Sequence, residues 1–292
     1  MTELNQLFTI RDFIRWAVSQ FNEANLYYGH GTETAWDEAI ALILHTLHLP
    51  HDINTMVLDA RLTESERSIL LRVIKKRVDE RIPVPYITHE AWFAGLPYYV
   101  DERVLIPRSP IAELIENHFQ PWAHGPIESI LDLCTGSGCI AIACAKAFPD
   151  AIVHAADISR DAIEVAKINI SRHGCEDQVH VYQADLFDGL PPKKYDLIVS
   201  NPPYVDAEDM AALPKEYKHE PELALKAGRD GLDIVTKILR EAKNYLHPKG
   251  ILIVEVGNSE VALSEKFADI PFMWLEFERG GGGVFLLTYE QL

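Results

Sequence analysis

No apolar run in the 292-residue sequence reaches the roughly 18 residues that a membrane-spanning helix requires. Residues 1–10 have neither a basic start nor a long apolar stretch, so a secretory signal peptide is not expected. These two absences lead us to expect a cytoplasmic protein that has no membrane partner.

Basic residues are scarce relative to acidic ones. The chain has 27 Lys and Arg residues against 44 Asp and Glu residues, a formal net charge of −17. Tight binding to a phosphate backbone depends on clustered positive charge, so direct sequence-specific binding of nucleic acid is not expected. The acidic balance favours a basic macromolecular partner instead. One basic run is interpreted as a solvated helix face, namely Arg72, Lys75, Lys76, Arg77 and Arg81.

Cysteine is also rare, and its spacing excludes a common class of site. The four cysteines are Cys134, Cys139, Cys144 and Cys175. None of them forms the CxxC pair that is typical of structural zinc, so no metal site is expected. We interpret them as reduced thiols that serve as small buried apolar side chains.

The pattern of apolar residues predicts two domains and a connecting segment. Residues 1–90 show helical periodicity, with capping residues at Thr9, Thr34 and Thr63. Residues 91–108 are rich in aromatic and β-branched side chains around turn residues, which is typical of a β-hairpin. We therefore predict a helical substrate-recognition domain, a hairpin linker and a larger domain over 109–292.

In residues 109–292 short apolar strands alternate with helical segments. Such alternation predicts an α/β domain with a mostly parallel sheet covered by helices on both faces. Seven strands are predicted, over 129–134, 152–157, 179–184, 195–200, 250–256, 274–278 and 284–288.

Three of these strands end in residues suited to a nucleoside. The first runs into a glycine turn, Asp132–Gly138, where backbone N–H groups can approach a ligand closely. Asp157 ends the second strand and can accept hydrogen bonds from two ribose hydroxyls, while Asp185 follows the third and can accept one from an adenine amine. An NAD-binding protein is a competing interpretation of the glycine turn, and either aspartate could be only a helix N-cap.

The fourth strand is followed directly by Asn201-Pro202-Pro203-Tyr204. A planar side-chain amide presents two N–H groups, and a site that orients such an amide needs an acceptor for each of them. The Asn201 side chain and the Pro202 carbonyl can supply these acceptors, and Tyr204 can lie against the planar amide. A strand-terminating turn is the alternative interpretation, because Asn-Pro often begins turns.

These motifs together resemble the class I, Rossmann-like methyltransferases, and specifically the glutamine N(5)-methyltransferases of the HemK-like family. The resemblance runs over nearly the whole chain and implies S-adenosylmethionine as cofactor, with S-adenosylhomocysteine as product. It implies that Asn201, Pro202 and Tyr204 are catalytic and that Pro203 joins them in holding the target glutamine. The cofactor contacts that it implies are Asp132, Cys134, Thr135, Gly136, Ser137, Gly138, Asp157, Ile158, Asp185, Leu186 and Asn201.

The sequence departs from the family pattern at two of these positions. Cys134 replaces the first glycine of the usual D-x-G-x-G-x-G pattern, and Leu186 stands where an aromatic residue is common.

Two branches of the family act on different proteins, peptide-chain release factors or the third protein of the large (50S) ribosomal subunit. The stretch Pro107–Glu113 reads PRSPIAE. It resembles the ribosomal branch, and a release-factor enzyme is the alternative.

Two other functions are compatible with the same motifs. A DNA adenine methyltransferase could use the same Asn-Pro-Pro-Tyr motif on a flipped base, and a non-catalytic scaffold could bind the ribosomal protein without modifying it. The long acidic segment 205–230 is expected to help hold the protein substrate, with a solvated loop as the alternative. The sequence does not predict an oligomeric state.

Overall fold

The computed structural model describes residues 6–292, which divide into two compact units. The first contains the residues up to Glu90 together with Pro214–His219, and the second contains Ala91–Leu213 and Glu220–Leu292. The segment predicted as a hairpin linker thus belongs to the second unit. Six residues from far along the chain join the helical unit, which the local patterns did not predict. Within residues 6–292, no helix has both the length and the hydropathy that crossing a membrane would require.

The first unit is helical. Its helices begin where the sequence places capping residues: Thr9 and Thr63 each accept a hydrogen bond from the third helical N–H, and the acidic residue there reaches back to the cap. A short fourth helix and a 3₁₀ turn over Thr55–Asp59 were not predicted. The helices are α1 (Ile10–Glu23), α2 (Ala35–Thr46), α3 (Glu64–Asp79) and α4 (Val84–Thr88).

A buried ion pair at the centre of this unit corrects the interpretation of the basic run. Arg77 on α3 is fully buried instead of solvated, and its Nε donates to Glu38 Oε2 of α2 at 2.8 Å. Its Nη1 donates to Glu216 Oε1 at 3.3 Å. Arg81 also donates to Glu216, whereas Arg72 is exposed as expected. Helical periodicity did not separate Arg77 from its neighbours because its carboxylate partners come from distant parts of the chain.

The second unit begins with a two-stranded hairpin, β1 (Ala91–Phe93) and β2 (Leu96–Tyr98). The hairpin ends ten residues earlier than predicted. The Asp101 carboxylate accepts hydrogen bonds from both the backbone N–H and the guanidinium of Arg103, which turns the chain away from strand pairing. A short helix, α5 (Ile111–Glu116), follows this irregular stretch.

The seven-stranded sheet confirms the predicted fold class. Five strands are parallel, and the sixth and seventh in chain order form an antiparallel pair at one side. The strands are β3 (Ser129–Leu133), β4 (Ile152–Asp157), β5 (Val179–Gln183), β6 (Tyr195–Ser200), β7 (Leu246–Glu255), β8 (Met273–Trp274) and β9 (Val284–Thr288). Their spatial order is β5-β4-β3-β6-β7-β9-β8.

Helices cover both faces of this sheet, which explains the almost wholly apolar strands. Along β6, Leu197 and Val199 face one core cluster and Ile198 faces the other. Each such fully buried side chain contributes about 1.5–3 kcal/mol of hydrophobic stabilisation. The covering helices are α6 (Cys139–Ala147), α7 (Arg160–His173), α9 (Asp233–Tyr245) and α10 (Glu260–Lys266), whereas α8 (Ala207–Ala212) buries no residue. The predicted strand over 274–278 is wrong in its bounds, since the pairing covers only Met273–Trp274.

The strand order reverses between β3 and β6, because the chain moves outward from β3 to β4 and β5 and then returns to the other side of β3. Ligands of open α/β sheets bind at the carboxyl ends of the strands at such a switch point. The glycine turn follows β3 and the Asn-Pro-Pro-Tyr motif follows β6, so the topology places the two motifs side by side.

Candidate active site

The glycine turn after β3 is shaped from below by Asp132. This residue is fully buried, and its Oδ2 accepts hydrogen bonds from Thr135 Oγ1 at 2.5 Å and from the Ala141 N–H at 3.1 Å. Burial raises the pKa of Asp132 to about 7. Its other oxygen, Oδ1, has no hydrogen-bond partner among residues 6–292.

Three residues of the turn, Cys134, Gly136 and Gly138, adopt backbone conformations that glycine favours. Gly138 has φ +80° at the start of α6, and a Cβ there would lie 3.2 Å from the Cβ of Ala166. Cys134 has φ +59° although it is not glycine. The replacement of the family's first glycine by Cys134 therefore leaves the tight turn in place, with a non-glycine residue in the left-handed region.

Asp157, at the end of β4, is joined to this turn. Its Oδ2 accepts the Gly136 N–H at 2.9 Å, and its Oδ1 accepts the Ser159 N–H at 2.9 Å. Burial raises the pKa of Asp157, and these backbone hydrogen bonds act in the opposite direction. The carboxylate thus fixes the spacing between the ends of β3 and β4, and it lies on the wall of a cleft with about 540 Å³ of empty space.

Ile158 gives the same wall an apolar surface. It follows Asp157 directly and is 50% exposed, which is unusual for a large aliphatic side chain. Exposed apolar surface that is grouped in a cleft marks a place where a ligand can bind, because the ligand then removes it from water. A flat ring such as a purine could cover this side chain.

The fourth strand contributes the other wall. The Ser200 hydroxyl donates to the Leu133 carbonyl at 2.8 Å, which holds the ends of β6 and β3 together. Asn201 and Pro203 line the cleft directly after it. The structure therefore brings residues of the glycine turn, Asp157, and Asn201 and Pro203 of the motif to one cleft. Tyr204 is half-buried and does not line it.

Two further segments line the cleft and were missed at the sequence level. The residues on this side are Arg103, Val104, Leu105, Pro221, Leu223 and Ala224. The segments are tied together by Glu220, which accepts the Ile106 N–H at 3.1 Å and two hydrogen bonds from the Arg108 guanidinium at 2.6 and 2.8 Å. No local signal in the sequence predicts that these two segments meet. Once the fold is known, the 58% exposure of the Leu223 side chain marks it as a candidate ligand contact.

The remaining predicted residues lie behind or away from the wall. Thr135, Ser137 and Pro202 are buried, and they support the turn and the motif. Leu186 is 7% exposed, belongs to the core cluster and does not line the cleft. Asp185 is about half exposed, with its Oδ2 4.0 Å from Lys237 Nζ. Their contacts with a cofactor remain predictions, and neither side chain lines the cleft as described.

The cysteines and the acidic segment 205–230 are more buried than exposed at several positions. All four thiols are free, and three of them are buried as predicted, whereas Cys134 is partly exposed and lines the cleft. In the segment 205–230, Glu216 and Glu220 are buried in ion pairs. Those two acids are therefore structural, and the predicted role in holding a substrate falls on the exposed acids that remain.

Comparison with known proteins decides the family. The chain is 52% identical over 291 residues to the ribosomal protein uL3 glutamine methyltransferase of Francisella tularensis subsp. tularensis. This alignment covers 99% of this chain and 93% of that protein. It is 53% identical over 289 residues to the protein of the same name from Neisseria gonorrhoeae, which covers 98% and 96%. The chain belongs to the family of ribosomal protein uL3 glutamine methyltransferases.

Two further comparisons concern the larger domain and the fold. Residues 112–216 match the family model described as methyltransferase small domain. The catalytic domain of hMettl16 in complex with a MAT2A 3'UTR hairpin aligns with a TM-score of 0.52 over 78% of this chain and 82% of that one. At 16% sequence identity this likeness shows the fold alone. The expectations of a methyltransferase and of a class I fold are confirmed.

Proposed function

We propose that this enzyme transfers the methyl group of S-adenosylmethionine to the side-chain amide nitrogen of a glutamine in ribosomal protein uL3. The observation that carries the proposal is that Asn201 and Asp157 line one cleft at the switch point of the sheet. A nucleoside acceptor and an amide-binding motif are thereby adjacent, which is the arrangement that methyl transfer between the two ligands needs.

The residues of the cleft fit the cofactor by their chemistry. Asp157 offers carboxylate oxygens for the ribose hydroxyls, and the exposed Ile158 offers an apolar surface for the adenine ring. The unpartnered Asp132 Oδ1 supports a positively charged amino group near the glycine turn, because a buried acceptor without a donor is costly. When bound, S-adenosylmethionine would supply an electrophilic methyl group on a sulfonium.

The Asn-Pro-Pro-Tyr residues would orient the substrate amide. The Asn201 side-chain oxygen and the Pro202 carbonyl accept its two N–H groups, which raises electron density on the nitrogen and directs its lone pair toward the methyl group. The buried Pro202 fixes the backbone direction in advance. No strong base is needed, since the methylated nitrogen becomes acidic and releases its proton afterwards.

A parallel methyl-transfer assay tests the proposal. The purified enzyme and labelled S-adenosylmethionine would be offered ribosomal protein uL3 in one reaction and a release factor in another, and the modified peptide would be mapped by mass spectrometry. We expect a single methyl group on a glutamine of uL3 alone. Label on the release factor alone would overturn the substrate, and label on neither would overturn the activity.

Two asparagine variants complete this test. Asn201→Ala should abolish transfer while the affinity for uL3 is largely kept, because the substitution removes an acceptor that orients the amide. Asn244→Ala is the matched control, since Asn244 is exposed at the end of α9 and does not line the cleft. If the protein acted only as a scaffold that binds uL3, Asn201→Ala and Asn244→Ala would give the same result.

A further inference from the structure

The carboxylate of Glu255 lies beside the proposed substrate site without lining it. Glu255 is the last residue of β7, and it is 5% exposed. The register of the sheet pairs Ser200 with Val254, so the ends of β6 and β7 are adjacent. A buried carboxylate at this position needs a reason, because burial of an acidic side chain is costly unless it is hydrogen-bonded.

Two hydroxyl groups donate to Glu255, one to each carboxylate oxygen. Tyr204 Oη donates to Oε1 at 2.9 Å, and Ser109 Oγ donates to Oε2 at 2.5 Å. Ser109 is itself buried, and its hydroxyl accepts the Ile111 N–H at 3.2 Å at the start of α5. Desolvation raises the pKa of Glu255, and the two hydroxyl donors and the nearby Arg108 act in the opposite direction. The carboxylate therefore joins Tyr204 of the motif to a rigid, buried support.

The surroundings of Tyr204 leave its ring little freedom. A Cβ at Gly257 would lie 2.5 Å from Tyr204 Cε2, so the ring packs directly on the backbone of that glycine. The Tyr204 carbonyl accepts a hydrogen bond from Ser259 Oγ at 3.0 Å. The ring plane is thus fixed by packing and the backbone by Ser259, while the hydroxyl end of the ring is held by Glu255.

We propose that Glu255 is a positioning residue for methyl transfer, which holds the Tyr204 ring in the orientation that the substrate amide requires. This proposal rests on the proposed function, in which Tyr204 lies against the glutamine amide. A flat amide contacts a ring productively over a narrow range of angles, and functional groups must be held within about 10–20° of their working geometry. Glu255 acts through Tyr204 and does not touch the substrate itself.

The inference predicts coupled losses in two variants. Glu255→Ala and Tyr204→Phe remove the same hydrogen bond from opposite ends, so each should lower kcat on uL3 by about ten- to a hundredfold. The KM for uL3 and the Kd for S-adenosylmethionine should change far less than kcat. The double variant should be little worse than either single one, because the interaction can be lost only once. Glu255→Gln, whose side-chain oxygen can still accept from Tyr204, should retain most of the rate.

Several outcomes would overturn this role. Full kcat in Tyr204→Phe would do so even if Glu255→Ala failed to fold, since Tyr204→Phe leaves the Ser109 contact with Glu255 intact. Losses that multiply in the double variant would point to general destabilisation, as would a large rise in the Kd for S-adenosylmethionine. The proposed function fails separately, if the parent enzyme itself does not label uL3.

Discussion

Asp157 has a structural role, and we propose that it also binds the ligand. Its two oxygens accept N–H groups from two different segments, the turn after β3 and the cap of α7. The same residue lines the cleft, where we propose that a ribose binds. Such a residue can be predicted from the sequence, because it ends the strand that follows a glycine turn and its helix.

Asp157→Asn should weaken the binding of S-adenosylmethionine by at least about tenfold, which is ~1.4 kcal/mol. The amide has one acceptor oxygen instead of two, so one backbone N–H or one ribose hydroxyl loses its partner. Isothermal titration calorimetry measures the effect.

Asp150→Asn is the matched control, because it makes the same charge change at an exposed position outside the cleft. Equal affinity in Asp157→Asn and the parent would contradict the assignment of Asp157 to the cofactor.

Secondary-structure elements bring together charged residues that are distant in the chain. Within the helical unit, α2 provides Glu38, α3 provides Arg77, and the 3₁₀ turn over Lys215–His219 provides Glu216. Burial raises the pKa of Glu38, with Arg77 acting against it, whereas for Glu216 the hydrogen bonds from Tyr27 and Arg77 overcome burial and lower the pKa. One buried guanidinium therefore stabilises the charges of two carboxylates.

Arg77→Met should lower the free energy of unfolding by about 3–5 kcal/mol, because it leaves the buried Glu38 carboxylate without its cation and Glu216 with Arg81 alone. A urea titration followed by circular dichroism measures the loss. Adding Glu38→Gln to Arg77→Met should restore part of it, since the unpaired charge is then removed.

Arg72→Met provides the comparison on the same helix. Arg72 is exposed, and its replacement should change the free energy of unfolding by no more than about 0.5 kcal/mol. Equal effects of Arg72→Met and Arg77→Met would mean that the buried pair contributes nothing to stability.

At the scale of the whole molecule, the net charge of −17 predicts a long-range attraction for a basic partner. A basic protein substrate is attracted to such a surface over distances of about a Debye length, which is ~10 Å at 0.1 M salt and ~3 Å at 1 M. Long-range attraction accelerates the encounter of the two proteins and leaves the chemical step unchanged.

Raising the salt concentration should therefore lower kcat/KM for uL3 several-fold and leave kcat nearly constant. Steady-state assays across a salt series, at saturating S-adenosylmethionine, measure both constants. The Kd for the cofactor over the same series is the control for loss of folded enzyme. A kcat/KM that does not depend on salt would show that the net charge does not guide the substrate.

The sequence by itself determined the parts of this enzyme that depend on short-range patterns. Short apolar runs specify strands, capping threonines specify helix starts, and the glycine turn and Asn201–Tyr204 follow their strands directly. The order of these segments was enough to predict a parallel sheet with a ligand at its carboxyl edge, because the carboxyl ends of parallel strands meet at one edge.

Only the tertiary structure decided which distant residues meet. It buried Arg77 between Glu38 and Glu216, brought Pro221 and Leu223 to the cleft, and placed Glu255 against Tyr204. The partners in these contacts lie far apart in the chain. Local periodicity gives the face of a helix or strand on which a residue lies, whereas burial and pairing depend on what the rest of the chain packs against that face.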